Sequence, residues 1–67
     1  MIEFTVNGCT QICERPLAIS ELLRKMALEG RKVAVERNGE IVPRGAHGAT
    51  LLASGDRLEI VVAVGGG

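Results

Sequence analysis

Glycine fills the last three positions, Gly65, Gly66 and Gly67, of a 67-residue chain. No side chain there can pack and every backbone region is open, so the segment is expected to be slim, extended and mobile. A terminal α-carboxylate is ionised at neutral pH, and backbone amides in another protein's active site can grip it. Because oxide is a poor leaving group, such a carboxylate donates its acyl group only after conversion to a mixed anhydride such as an acyl adenylate. Glycine leaves that carbonyl unhindered. The same run also reads as a frayed end, and what sets Gly67 apart is its place at the terminus of the sequence.

Cys9, Cys13 and His47 are the other residues with chemistry to offer. Cys9 and Cys13 fall in a strand-like stretch, where a rise of about 3.3 Å per residue sets their Cα atoms about 13 Å apart. A disulfide needs less than about 7 Å, so free thiols in a reducing compartment are expected. The i, i+4 spacing puts both on one strand face, as a sulfur relay would need. No basic residue stands directly beside either thiol, however, and a small buried hydrophobe is the plainer role. With a single histidine the set cannot close a four-ligand zinc site, so no metal is expected. His47 lies in an aperiodic segment with no acid or nucleophile beside it and is expected to face solvent without a role.

Composition excludes several classes. Lys+Arg and Asp+Glu both number 8, the formal net charge is +0, and Phe4 is the single aromatic residue. Neither the positive field nor the stacking rings of a nucleic-acid binder are present. The longest apolar run, residues 60–64, falls far short of the roughly 20 needed to span a bilayer. The start Met1-Ile2-Glu3-Phe4 has no basic region ahead of an apolar stretch, so no signal peptide is read and a cytoplasmic location is expected. Sixty-seven residues build one small core.

The elements that must position the terminus follow from periodicity. Ile2, Phe4 and Val6 alternate with Glu3 and Thr5, a strand with one buried face. Asn7-Gly8 supplies two positive φ angles for a type I′ turn into a second strand over residues 9–14. After Pro16, the i, i+3, i+4, i+7 spacing of Ile19, Leu22, Leu23 and Met26 predicts a helix with Arg24, Lys25 and Glu29 outside, ended by Gly30. Its start is left open between Ser20 and Ala18, which has Glu21 at capping-box spacing but no hydroxyl. Val33 and Val35, then Asn38-Gly39, then Ile41-Val42 predict a second hairpin that stops at Pro43. Residues 44–49 read as a surface loop and residues 50–52 as a short edge piece. Ser54-Gly55-Asp56 reads as a turn. The final strand places Leu58, Ile60, Val62 and Val64 on one face and Arg57, Glu59, Val61 and Ala63 on the other. Hairpin, helix, hairpin and strand, each with one apolar face, make a two-layer α+β domain in which the first and last strands are parallel neighbours.

Asn7-Gly8, Glu21-Leu22-Leu23, Asn38-Gly39, Ile41-Val42-Pro43-Arg44, residues 54–60 (Ser-Gly-Asp-Arg-Leu-Glu-Ile) and the terminal Gly66-Gly67 occur in an order, and in a chain length, that resembles the ThiS sulfur carriers over the whole sequence. The resemblance implies a ubiquitin-like β-grasp fold: a mixed sheet of four to five strands packed on one helix over residues 1–64, followed by a tail at 65–67. It also implies a group carrier for thiamin thiazole synthesis rather than an enzyme. A ThiF-like adenylyltransferase would use ATP to activate Gly67, and a cysteine-desulfurase-derived persulfide would convert it to a thiocarboxylate. A ThiG-like thiazole synthase would take the sulfur. Gly65 and Gly66 would give reach, and the carrier itself would bind no cofactor. The chain departs from the family pattern at Ala18, where ThiS proteins usually carry Thr or Ser, and at Gly65, where many carry another small residue.

The face of the last strand bearing Arg57, Glu59, Val61 and Ala63 is the expected docking strip for these partners, with Arg44 a further candidate from the family pattern that also reads as a solubilising arginine. Three alternatives stay open. A carrier resembling the small subunit of molybdopterin synthase would use the same terminal chemistry, although in a longer chain. A ubiquitin-like modifier would form isopeptide bonds through the same activated glycine. A plain interaction module would tolerate loss of Gly66 and Gly67.

Overall fold

The computed structural model describes residues 1–63, so Val64, Gly65, Gly66 and Gly67 lie outside the described residues, together with the expected boundary between domain and tail. The elements run β1 (Ile2–Val6), β2 (Cys9–Cys13), α1 (Ile19–Lys25), β3 (Val33–Arg37), β4 (Glu40–Ile41), a 3-10 turn (Arg44–Ala46) and β5 (Arg57–Val62). The strands form a single five-stranded sheet in the order β2-β1-β5-β3-β4.

Both hairpins form where the Asn-Gly pairs predict them, with φ of 51° and 84° at Asn7-Gly8 and 54° and 87° at Asn38-Gly39. β5 sits in the centre as its apolar character requires, parallel to β1 and antiparallel to β3. Ile2, Phe4, Val6, Val35, Leu58 and Ile60 point to one face of this sheet, where Leu17, Ile19, Leu22, Leu23 and Leu52 close the core over them. The opposite face has no covering layer among the described residues.

Helix α1 is shorter than its apolar spacing predicts. It ends at Lys25, with Met26 as C-cap and 38% exposed. Ala27 takes the left-handed conformation at φ 60°. Its N–H bonds the Arg24 carbonyl, and the Leu28 N–H reaches back to Leu23 at 2.8 Å, which is a Schellman ending. Leu28, partly buried, packs on the core from this turn. Gly30 has φ 82° but belongs to the following turn rather than to the helix end.

At the other end Ala18 is the N-cap, and the Glu21 carboxylate accepts its N–H at 2.9 Å. The missing hydroxyl is replaced from a distance. Thr50 and His47 carbonyls accept the N–H groups of Ile19 and Ser20, each at 3.1 Å. Residues 44–50 therefore form a cap for the helix rather than a free loop. His47 is correspondingly buried, 6% exposed, with Nε2 at 3.1 Å from the Val42 carbonyl. Since a carbonyl only accepts, the ring proton sits on Nε2. The expectation of a solvent-facing histidine is corrected: its backbone caps α1 and its ring ties the cap to the end of the second hairpin.

Candidate functional site

The last strand positions the site. β5 lies between β1 and β3 with both backbone edges paired, so it cannot shift without breaking two ladders. Asn7 strengthens the β1 side: beyond its turn role, its amide exchanges two hydrogen bonds with the Ile60 backbone, at 2.7 and 3.1 Å. Asn38 does the same on the other flank, accepting the Arg57 N–H at 2.9 Å and donating to Asp56 at 3.1 Å.

Asp56 anchors the start of β5 and was read from sequence only as a turn residue. It is buried, and its carboxylate accepts from Arg37 Nε at 2.9 Å, Asn38 Nδ2 at 3.1 Å and the Ala53 N–H at 2.9 Å. Burial by itself raises its pKa; the hydrogen bonds from Ala53, Arg37 and Asn38, with the Arg37 charge, outweigh that and hold it below the ordinary aspartate value. The network fixes where the outgoing strand begins.

Arg57, Glu59, Val61 and Ala63 are all exposed on the uncovered sheet face, as the alternation predicts, with Val61 65% exposed. Register adds what sequence alone could not supply. Val61 lies opposite Ala34 and Glu59 opposite Glu36, which in turn faces Ile41, 64% exposed, on β4. The strip is therefore a patch in which Val61, Ala34 and Ile41 supply apolar area and Glu36, Glu59 and Arg57 the charge. Two carboxylates directly opposite one another destabilise a sheet, and nothing in the fold requires them there. Alternation with Val33 and Val35 turns Ala34 and Glu36 outward, and strand pairing brings them beside β5.

Arg44 is not part of that patch. It lines a separate cleft of about 390 Å³ with Ser20 and Leu23 from the helix and with Arg31, Lys32 and His47. This cleft adjoins the exit of β5, because the Lys32 carbonyl accepts the Ala63 N–H at 2.9 Å. The thiols divide as well: Cys9 is exposed, against the expectation of a buried hydrophobe, while Cys13 is half-buried against the core. Among the described residues no cluster of His, Cys, Asp or Glu could hold a metal ion. No helix among them is long and apolar enough to cross a membrane. Gly65, Gly66 and Gly67, the expected acyl carrier, lie outside the described residues.

The family model described as the ThiS family matches residues 4–67. The chain belongs to the ThiS family. Its fold is accordingly the ubiquitin-like β-grasp, and the sheet and helix superpose on the crystal structure of the thiamine biosynthesis protein ThiS from Geobacter metallireducens with TM-score 0.81, at 35% identity over 98% of this chain and 100% of that one. It is also similar to two curated thiazole synthases. That of Paramagnetospirillum magneticum is 38% identical over 98% of this chain. That of Magnetococcus marinus is 39% identical over 92% of it. The chain spans about a fifth of the length of these enzymes, 20% and 19%. The ThiS match runs through Gly67, so the terminal glycines fall within the family pattern rather than beyond it.

Proposed function

We propose that the chain is the sulfur carrier of thiamin thiazole biosynthesis, with the carboxylate of Gly67 as the group that is loaded. The observation that carries this reading is the ThiS family match extending through the glycine run. Similarity to thiazole synthases supports the thiazole branch over a molybdopterin-type carrier.

The chemistry has three stages. A ThiF-like adenylyltransferase joins the Gly67 carboxylate to AMP from ATP, releasing pyrophosphate. A persulfide of cysteine-desulfurase origin attacks the activated carbonyl and AMP leaves with the carboxylate oxygen; a thiol then attacks the donor-side sulfur of the resulting acyl disulfide, forming a new disulfide with the donor and releasing the thiocarboxylate. A thiazole synthase then draws the sulfur from it. The carrier is a co-substrate in each stage rather than a catalyst, and it works in the cytoplasm with no bound cofactor of its own.

The β-grasp body presents the tail. Arg57, Glu59, Val61 and Ala63 form the docking face, Gly65 and Gly66 span the distance to the partner's active site, and Arg44 contributes from the cleft beside the β5 exit. Neighbouring Ala34 and Ile41 enlarge the face. ATP–pyrophosphate exchange by a ThiF-like enzyme tests the first stage: exchange should depend on the full chain and vanish when Gly66 and Gly67 are removed. Undiminished exchange with the shortened chain would overturn the assignment of Gly67.

A further inference from the structure

Among the described residues the sheet ends in two unpaired edges, β2 and β4, and they are not alike. β4 is blunted: it has two residues, Glu40 and Ile41, one of them charged, and Pro43 follows. β2 has five, Cys9, Thr10, Gln11, Ile12 and Cys13, with no charge, proline or glycine, and the first four are exposed. None of the devices that usually discourage strand pairing is present there.

The direction of its backbone groups can be read from β1. The N–H groups of Thr5 and Asn7 point to β5, bonding the carbonyls of Asp56 and Leu58 at 3.0 and 2.8 Å. By alternation Ile2, Phe4 and Val6 exchange their hydrogen bonds with Cys13, Gln11 and Cys9, their partners in the register. Thr10 and Ile12 therefore aim N–H and C=O outward at the open edge.

From this geometry we infer that β2 pairs with β2 of a second copy of this chain, antiparallel about a two-fold axis at Gln11. Thr10 then faces Ile12 of the second copy and exchanges both backbone hydrogen bonds with it, so the outward groups of both chains are satisfied. Gln11 faces Gln11, and Cys9 faces Cys13 of the second copy. These last are non-hydrogen-bonded pairs, with Cα atoms about 4.5 Å apart, within the disulfide range of about 4.4–6.8 Å. The spacing that forbids a disulfide within one chain aligns the thiols between two. Cys9 is exposed, and Cys13 lines a cleft beside Ile12 and Lys25 that is open to solvent. A five-residue edge buries far less than the roughly 1,200 Å² of a stable interface, so the reduced pair is transient and oxidation traps it.

Oxidised glutathione supplies the chemistry. The Cys9 thiolate attacks its disulfide and releases one glutathione; the Cys13 thiolate of the second copy then attacks the Cys9 sulfur and releases the other. The thiols lose two protons and two electrons for each bond formed, and one glutathione disulfide is reduced to two glutathiones. β5 is separated from β2 by β1, so pairing leaves the docking face uncovered.

The test treats the full chain with oxidised glutathione and reads non-reducing mass spectra and peptide maps. The unaltered chain should give a covalent dimer with Cys9 linked to Cys13 of the second copy. Cys9→Ser and Cys13→Ser should each stay monomeric alone, because like thiols lie about 13 Å apart in this register, yet should cross-link when mixed. Gln11→Glu, which sets two carboxylates face to face, should slow cross-linking up to about fivefold at neutral pH. Circular dichroism of each variant verifies that it is folded. Cross-linking of either serine variant alone as fast as the mixture, an intrachain Cys9–Cys13 link, or only glutathionylated monomer would overturn the pairing.

Discussion

Ala27 holds a left-handed φ of 60° at the end of α1, a conformation that costs a residue with a Cβ roughly 1 kcal/mol and glycine almost nothing. Ala27→Gly should therefore stabilise the protein by up to about 1 kcal/mol, read as a higher urea midpoint at unchanged m-value. Asp56 works in the opposite sense. Because its folded-state pKa is depressed, its contribution to stability is complete above the ordinary aspartate value of about 3.9 and is lost as the pH falls through the lower folded value. Asp56→Ala should cost about 2 kcal/mol at neutral pH by stranding Arg37, Asn38 and the Ala53 N–H, and should flatten the loss of stability below about pH 4. Urea titrations from neutral to acid pH read both effects. Neither role was legible in sequence: a helix-ending alanine breaks the glycine rule, and two of the three partners of Asp56, Arg37 and Asn38, come from the second hairpin, 19 and 18 positions away.

The strands and both hairpins were legible because their signals are local: two-residue alternation and Asn-Gly pairs act within a few positions. The helix start was legible only in part: the Glu21 carboxylate that accepts the Ala18 N–H is local, but the carbonyls that accept from Ile19 and Ser20 belong to Thr50 and His47, 31 and 27 positions along the chain. His47 is the clearest case. A residue without periodic neighbours reads as exposed, yet the 3-10 turn folds it beneath the second hairpin and makes it structural. His47→Ala should cost about 2 kcal/mol, where an exposed histidine would cost under about 0.5, and should speed amide exchange at Ile19 and Ser20 ahead of global unfolding. Asn7 and Asn38 show the same limit: their turns were predictable, but their clamps on β5 depend on pairing between residues 53 and 19 positions apart.

At the scale of the molecule, one helix covers one face of the sheet, the other face has no covering layer among the described residues, and the central strand is the last element before the glycine run. Outward positions of β5 were legible by alternation; the extension of the face to Ala34, Glu36 and Ile41 was not, since it arises from register. Val61→Asp should leave the unfolding midpoint within about 0.5 kcal/mol, because the side chain is solvent-facing, while slowing adenylation by a ThiF-like enzyme about tenfold. Equal loss of stability and rate would instead assign Val61 to the core. The most direct test of the carrier account is the intact mass of the full chain after incubation with ATP, a ThiF-like adenylyltransferase, a persulfide donor and a thiol reductant. The account predicts a gain equal to exchange of one oxygen for one sulfur, confined to the Gly67 peptide and abolished when Gly66 and Gly67 are removed. An unchanged mass, or ATP-dependent linkage of the chain to lysines of other proteins with no sulfur gained, would contradict it.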